Sequence, residues 1–220
     1  MHTSLSLMRP LLVVGVLALA ACQPADKDNT PVGVAAKAMD EVANGLGEAS
    51  KEMEKAREEI ATARDRMARE NLSLNRDEKQ NLPKAEITPT GELLIEGKPV
   101  STTAEQKALV LAYRGELLGV VGDGMAIGME GARVGIDAAA SALKGMLSGQ
   151  SGDEIGQQAG EMAKEKIKPL VAQLCTRMPG LLSAQQALST AVPEFAPYAT
   201  MDQSDVDDCG DANGDGNWTF

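Results

Sequence analysis

The sequence predicts a mainly α protein: an antiparallel helical bundle with a small β-hairpin and a long N-terminal heptad helix. Three observations point there. Two Phe, two Tyr and one Trp are few for 220 residues, and eleven Met take their place. Small and flexible side chains of this kind suit packed helices better than facing sheets. Met39, Leu46, Met53, Ile60 and Met67 recur at heptad spacing, with Val42, Ala49, Ala56 and Ala63 filling the intervening seam position. Finally, Gly124 to Gly149 (GMAIGMEGARVGIDAAASALKGMLSG) reads as an amphipathic helix whose small residues step alternately by four and three.

Residues 1–21 have the layout of a secretory signal peptide, with Arg9 ahead of the apolar run from Leu11 to Ala20. The segment ends in Leu19-Ala20-Ala21-Cys22, which resembles a bacterial lipobox. That resemblance implies lipid attachment at Cys22, cleavage before it, and a lipid bilayer as partner through the acylated Cys22. Several acyl chains on one residue would anchor it stably. Gln23, rather than Asp, follows the cysteine. By analogy with enteric lipoproteins this favours the periplasmic face of the outer membrane. Cleavage removes Arg9 and no acidic residue, so the net charge of −11 becomes −12. An acidic chain with no cluster of Lys and Arg is a poor partner for nucleic acid. The single histidine, His2, is lost with the signal peptide. Without it there is no Ser-His-Asp or Cys-His catalysis and no His-containing zinc site.

The rest of the chain divides into a polar tether over 22–34, the heptad helix over 35–75, a helical domain with the hairpin over 84–200, and an acidic tail over 201–220. The heptad helix is read in two ways. Its 39–67 seam could bind a protein partner or a second copy of the chain, or it could dock on its own domain. Asn71 to Lys84 is expected to be a loop. Two β-rich runs, Ala85–Thr88 and Leu93–Glu96, flank Pro89-Thr90-Gly91, and Gly97-Lys98-Pro99 makes a second turn. Thr102-Thr103-Ala104-Glu105 reads as a capping box opening the next helix. Gly122-Asp123-Gly124 is expected to break or kink that helix before the glycine-rich stretch. There, Gly128, Gly131, Gly135 and Gly145 together cost about 4 kcal/mol against alanine. Close approach of another helix would offset that, so Gly124, Gly128, Gly131, Gly135 and Gly145 are expected to form a packing groove. The same pattern packs membrane helices, but Glu130, Arg133, Asp137 and Lys144 argue against a spanning segment. Asp153 can cap a further helix, which Pro169 should kink or restart and Pro179-Gly180 should end. A shorter helix, Leu182 to Ala191, and an aromatic cap at Pro193–Tyr198 follow.

With Cys22 committed to lipid, Cys175 and Cys209 remain, and in an oxidising compartment they are expected to form a disulfide. They lack C-x-x-C spacing and flanking positive charge, which disfavours a redox-active pair. Asp211, Asn213 and Asp215 alternate like the opening of an EF-hand loop, a candidate calcium site. No closing Glu follows them, so an acidic tail is the preferred reading. No cofactor is expected.

AEITPTGELLIEGKPV (85–100), QKALVLAYR (106–114), GMAIGMEGARVG (124–135) and PEFAPYATM (193–201) with its flanking cysteines together resemble the YggN-like family of bacterial envelope proteins. The resemblance covers roughly Lys84 to Cys209. It implies an envelope location and no assigned activity. The expected function is a non-enzymatic envelope lipoprotein, a structural or protein-interaction module. The alternatives are a membrane-surface-active or oligomer-forming helical protein and a carboxylate-dependent hydrolase.

Overall fold

Three long helices and a small sheet make up what the computed structural model describes, residues 31–74 and 82–210, with the backbone alone at 31–36 and 38. The chain divides into two units, Met1–Asp40 and Glu41–Phe220. The described part of the first is the opening of helix α1 (Pro31–Arg69). Pro31 suits the first helical position, because its missing N–H would have no partner there anyway. The helix therefore starts inside the expected tether, and it ends six residues before the expected boundary at 75. Arg66 and Arg69 in its last turn complement the helix dipole.

The second unit holds the rest of α1, strands β1 (Leu72–Ser73), β2 (Ala85–Ile87), β3 (Leu93–Ile95) and β4 (Lys98–Pro99), and helices α2 (Ala104–Leu147), α3 (Gly152–Ala191) and α4 (Gln203–Asp207). A 3-10 helix, Pro193–Tyr198, joins α3 to α4. The sheet has the order β1-β2-β3-β4, and every pair is antiparallel. The expected hairpin is β2–β3, in the register Ala85↔Ile95 and Ile87↔Leu93. β1 lies where a loop was expected: two residues, Leu72 and Ser73, pair with Ile87 and Glu86. So short a strand has no periodicity to detect. The β3–β4 turn is Glu96-Gly97, with φ of 50° and 74°. Positive φ at both central residues gives the twist a two-residue hairpin needs. At Gly91 the constraint is double: φ is 84°, and a Cβ would come within 2.6 Å of Leu111 Cγ.

α2 starts one residue later than expected. Its cap is Thr103, whose hydroxyl accepts from the Gln106 N–H while the Gln106 side chain accepts from the Thr103 N–H. The helix then runs unbroken through Gly122-Asp123-Gly124, contrary to expectation. Contacts across the bundle hold that segment. Gly122 is buried beneath the Arg64 guanidinium of α1, and Asp123 binds Arg177 and Gln173 of α3.

α3 is capped by Ser151 with Glu154, not by Asp153. It passes through both prolines, so the expected stop at Pro179-Gly180 and the separate Leu182–Ala191 helix are corrected. Both proline rings lie on the exposed side. The carbonyls they leave unpaired at Glu165 and Cys175 can be hydrated there, and the apolar stripe on the other side continues without interruption. α2 and α3 are antiparallel. Glu116 lies at Gly180, Arg177 at Gly119, and Ile155 at Gly145.

α1 is also antiparallel to α2, with Met67–Glu70 beside Arg114 and Arg64 beside Gly122. Within Glu41–Arg69 the half-buried residues are Leu46, Ala49, Met53, Ala56, Ile60, Ala63 and Met67, and every other residue is exposed. That is the heptad seam, with Val42 left out at 46 % exposure. On α2 the matching row is Gly122, Met129, Ile136 and Leu143, also spaced by heptads and at least half-buried. The Arg64 side chain reaches the first member of this row.

The main core lies at the sheet end. Ala85, Ile87 and Leu93 from the sheet meet Val110 and Tyr113 of α2, Leu181 and Leu188 of α3, and Val192, Phe195 and Tyr198 beyond it. Phe195 is fully buried, with its ring 5.1 Å from Tyr113 in an edge-to-face arrangement. The expected aromatic cap is thus present, as a 3-10 turn.

The expected glycine groove is not. Gly128, Gly131 and Gly135 are exposed, and no side chain or neighbouring element comes within 4 Å of where their Cβ atoms would be. The same space is open at half-buried Gly124. The reason is angular. The buried stripe of α2 centres on Val134 and Gly145, and the row of Gly122, Met129 and Ile136 lies on another side, so the small-residue seam falls on a third. Of the five, Gly145 alone is buried, packed on Ile155 and Gln150 at the helical corner. Nothing in the structure explains the glycines at 128, 131 and 135.

Candidate functional site

The most constrained polar centre is one that the sequence reading did not single out. Arg114 sits on α2 one turn after Val110 and beside Tyr113, on the face turned to the core, and is 4 % exposed. Its Nη1 donates to the Ile87 carbonyl of β2 at 3.0 Å. Its Nη2 donates to the carbonyls of Met67, Ala68 and Glu70 at 2.6, 3.2 and 2.8 Å. These last three are at the C-terminal end of α1, where carbonyls have no partner within the helix and the dipole is negative. One guanidinium thus ties three elements together. Burial draws its pKa below the ordinary arginine value, yet arginine in a protein stays protonated. A positive charge held by carbonyls, with no carboxylate among these bonds, acts as a clamp. The signal was legible: an arginine inside the apolar run QKALVLAYRGELL, at helical spacing from Val110 and Leu117.

Around that clamp, single polar contacts close the sheet end. Gln106 Nε2 donates to the Ala191 carbonyl at 2.6 Å, fastening the start of α2 to the end of α3. The Tyr198 hydroxyl donates to the Pro83 carbonyl at 2.8 Å. Burial, and then the negative charge of Glu96, raise the Tyr198 pKa above that of an ordinary tyrosine. Gln185, 4 % exposed, bonds the Met201 backbone twice, at 2.7 and 3.1 Å. Further along the bundle, Arg177 Nε donates to Asp123 Oδ2 at 2.5 Å and Gln173 donates to Asp123 Oδ1 at 3.1 Å.

Cys175 and Cys209 are bonded, with Cα atoms 5.6 Å apart and a sequence separation of 34. The bond holds α4 and Gly210 against α3 at Val171. Asp202 opens α4 as its cap. The Ser204 hydroxyl and N–H both bond its carboxylate, lowering its pKa.

Cys22, with the whole of residues 1–21, lies outside the described residues, as do Asp211, Asn213 and Asp215. Among the described residues no three His, Cys, Asp or Glu side chains gather as metal ligands. No described helix is long and apolar enough to cross a membrane. The predicted site residues are therefore not brought together. The two cysteines meet, Gly145 packs, and the other groove glycines face solvent. Comparison with protein-family models, with curated proteins and with solved structures gives no match.

Proposed function

We propose that this chain is a lipid-anchored envelope protein of the YggN-like kind, a non-enzymatic structural or interaction module held at the periplasmic face of the outer membrane. The observation that carries the reading is the Leu19-Ala20-Ala21-Cys22 sequence at the end of an Arg9-led apolar run. The bonded Cys175–Cys209 pair supports it, because such bonds persist in oxidising compartments such as the periplasm. So does the architecture. The polar contacts described above tie the sheet, the helices and the 3-10 turn to one another. The heptad seam of α1 is half-buried against its own unit, so docking within the chain is favoured over a coiled coil between copies.

Intact mass of the protein purified from membranes tests the anchor. The expected N-terminus is Cys22 carrying diacylglycerol and an amide-linked acyl chain, and Cys22→Ser should release the chain from the membrane fraction. An unmodified Cys22, or a C22S chain that still sediments with membranes, would remove the reading. Light scattering tests the seam: the chain should be monomeric.

A further inference from the structure

Residues 202–210 lie back along α3, and three contacts place them. Gln185 holds the Met201 backbone just before the segment. Cys175 is bonded to Cys209, and Gly210 lies against Cys175 and Val171. Positions 171, 175 and 185 fall on one side of α3 at helical spacing. As the chain advances from 201 to 210, its partners on α3 recede from 185 to 171, so the segment runs antiparallel to the helix.

Every hydrogen bond that residues 202–210 make with described residues stays within the segment. The Asp202 carboxylate accepts from Ser204, the Asp205 carboxylate accepts from the Asp202 N–H, and Gln203 donates to Asp207. The Asp208 and Cys209 N–H groups donate to the carbonyls of Ser204 and Val206. Asp202, Asp205, Asp207 and Asp208 form no ion pair with a described residue. No residue of α4 is buried, and Val206 is its one half-buried side chain. A helix of five residues is far too short to persist alone in water. Past Met201, the link to α3 is therefore the Cys175–Cys209 bond, with the packing of Gly210 on Val171 added to it. Both cysteines are half-buried rather than buried, which leaves the sulfur pair open to an outside thiolate.

We propose that this bond is a redox-operated clasp: a dithiol opens it, and residues 202–210 then leave α3 while the core at the sheet end stays folded. One thiolate of the dithiol attacks a sulfur of the pair, forming a mixed disulfide and releasing the other cysteine, which takes up a proton. The second thiol of the dithiol resolves the mixed disulfide and frees the remaining cysteine. Two electrons pass from the dithiol to the protein, and the dithiol leaves as a disulfide. A small-molecule disulfide closes the clasp by the reverse exchange. Opening frees the Cys175 thiol and uncovers Val171, which is 7 % exposed and lies outside the main core. The ties at the sheet end, through Gln106, Arg114, Gln185 and Tyr198, contain no cysteine and persist. The clasp lies wholly within residues 171–210 and stands apart from the anchor at Cys22.

NMR of the full chain in detergent tests this, with and without a dithiol, beside the double variant Cys175→Ser, Cys209→Ser. In the oxidised chain an NOE should connect Gly210 with the Val171 methyl groups, and residues 203–207 should show helical carbon shifts. The dithiol should abolish both without denaturant and leave the shifts of Ile87, Leu93 and Phe195 in place. C175S/C209S should match the reduced chain and not respond to the dithiol, which separates the clasp from any effect at Cys22. Replacing the dithiol by a small-molecule disulfide should restore the first spectrum. A pair that resists the dithiol in native buffer overturns the proposal. So does a Gly210–Val171 NOE that survives in the reduced or serine-substituted chain, a loss of the Ile87, Leu93 and Phe195 shifts along with it, or a clasp that does not close again.

Discussion

Replacing Arg114 by methionine keeps a flexible side chain of similar length and removes every donor. Four carbonyls then lose their partner: Met67, Ala68 and Glu70 at the end of α1, and Ile87 in β2. Nη2 has two protons for three of these acceptors, so about three full bonds are at stake rather than four. A hydrogen bond to a charged donor contributes roughly 1.5–3 kcal/mol, and relief from burying the charge returns part of the total. The expected loss is about 3–5 kcal/mol, the range for removing one side of a buried charged contact. Arg114→Lys keeps the charge but loses the fork, and should fall between R114M and the wild type. Urea unfolding of the non-acylated chain gives the free energies. Amide exchange at Glu70, Leu72 and Leu74 shows whether the loss is localised where α1 meets the sheet. If R114M unfolded within about 0.5 kcal/mol of wild type, the usual range for surface substitutions, and exchange at those amides were unchanged, Arg114 would not be the clamp described above.

Three further outcomes follow from the same structure. Gly128→Ala, Gly131→Ala and Gly135→Ala should each stabilise by about 0.5–1 kcal/mol, because the added methyl meets open space and alanine is the better helix former. A thermal melt that drops for any of them would restore the packing groove that the structure removes. Reducing Cys175–Cys209 should lower the unfolding free energy by about 3–4 kcal/mol, the loop entropy of a bridge closing some 34 residues. Urea midpoints with and without reductant measure this, and equal midpoints would contradict it. The raised pKa of Tyr198 means that the unfolded chain loses this proton at lower pH than the folded one. Its contribution is complete below the ordinary tyrosine value and is lost as pH rises through the folded value. Tyr198→Phe should therefore flatten the alkaline decline in stability above about pH 10. An unchanged slope would count against the burial of that hydroxyl.

The elements that were legible in the sequence are those whose pattern repeats. The α1 seam, read from residues spaced by heptads, is half-buried from Leu46 to Met67. The β2–β3 hairpin, bracketed by Gly91 and the Glu96-Gly97 turn, falls within a residue of its expected bounds. What misled were the residues that usually punctuate structure. Gly122, Gly124, Pro169, Pro179 and Gly180 all lie inside continuous helices, because contacts across the bundle or exposure of the proline ring outweigh the local preference. Gly119, Gly122 and Gly180 do mark close approach, but of the Arg177, Arg64 and Glu116 side chains rather than of a helix backbone. The regular stepping of Gly124, Gly128, Gly131 and Gly135 showed that these residues share a side of α2. It could not show which side faced a neighbour, since Met125, Met129 and Ile136 offered an equally periodic and bulkier alternative. Arg114 was visible as a charge in an apolar run, but its acceptors are backbone carbonyls from α1 and β2, and backbone carbonyls leave no signature in a sequence.

The two outer strands of the sheet, β1 and β4, are each two residues long, and β4 is Lys98-Pro99. A proline has no N–H to give to an incoming strand, and a lysine resists burial in one. On the β4 side the sheet therefore offers no template for strand addition, so one copy of this chain cannot extend the sheet of another there. Crowding many copies together would then leave this margin of each sheet closed to its neighbours.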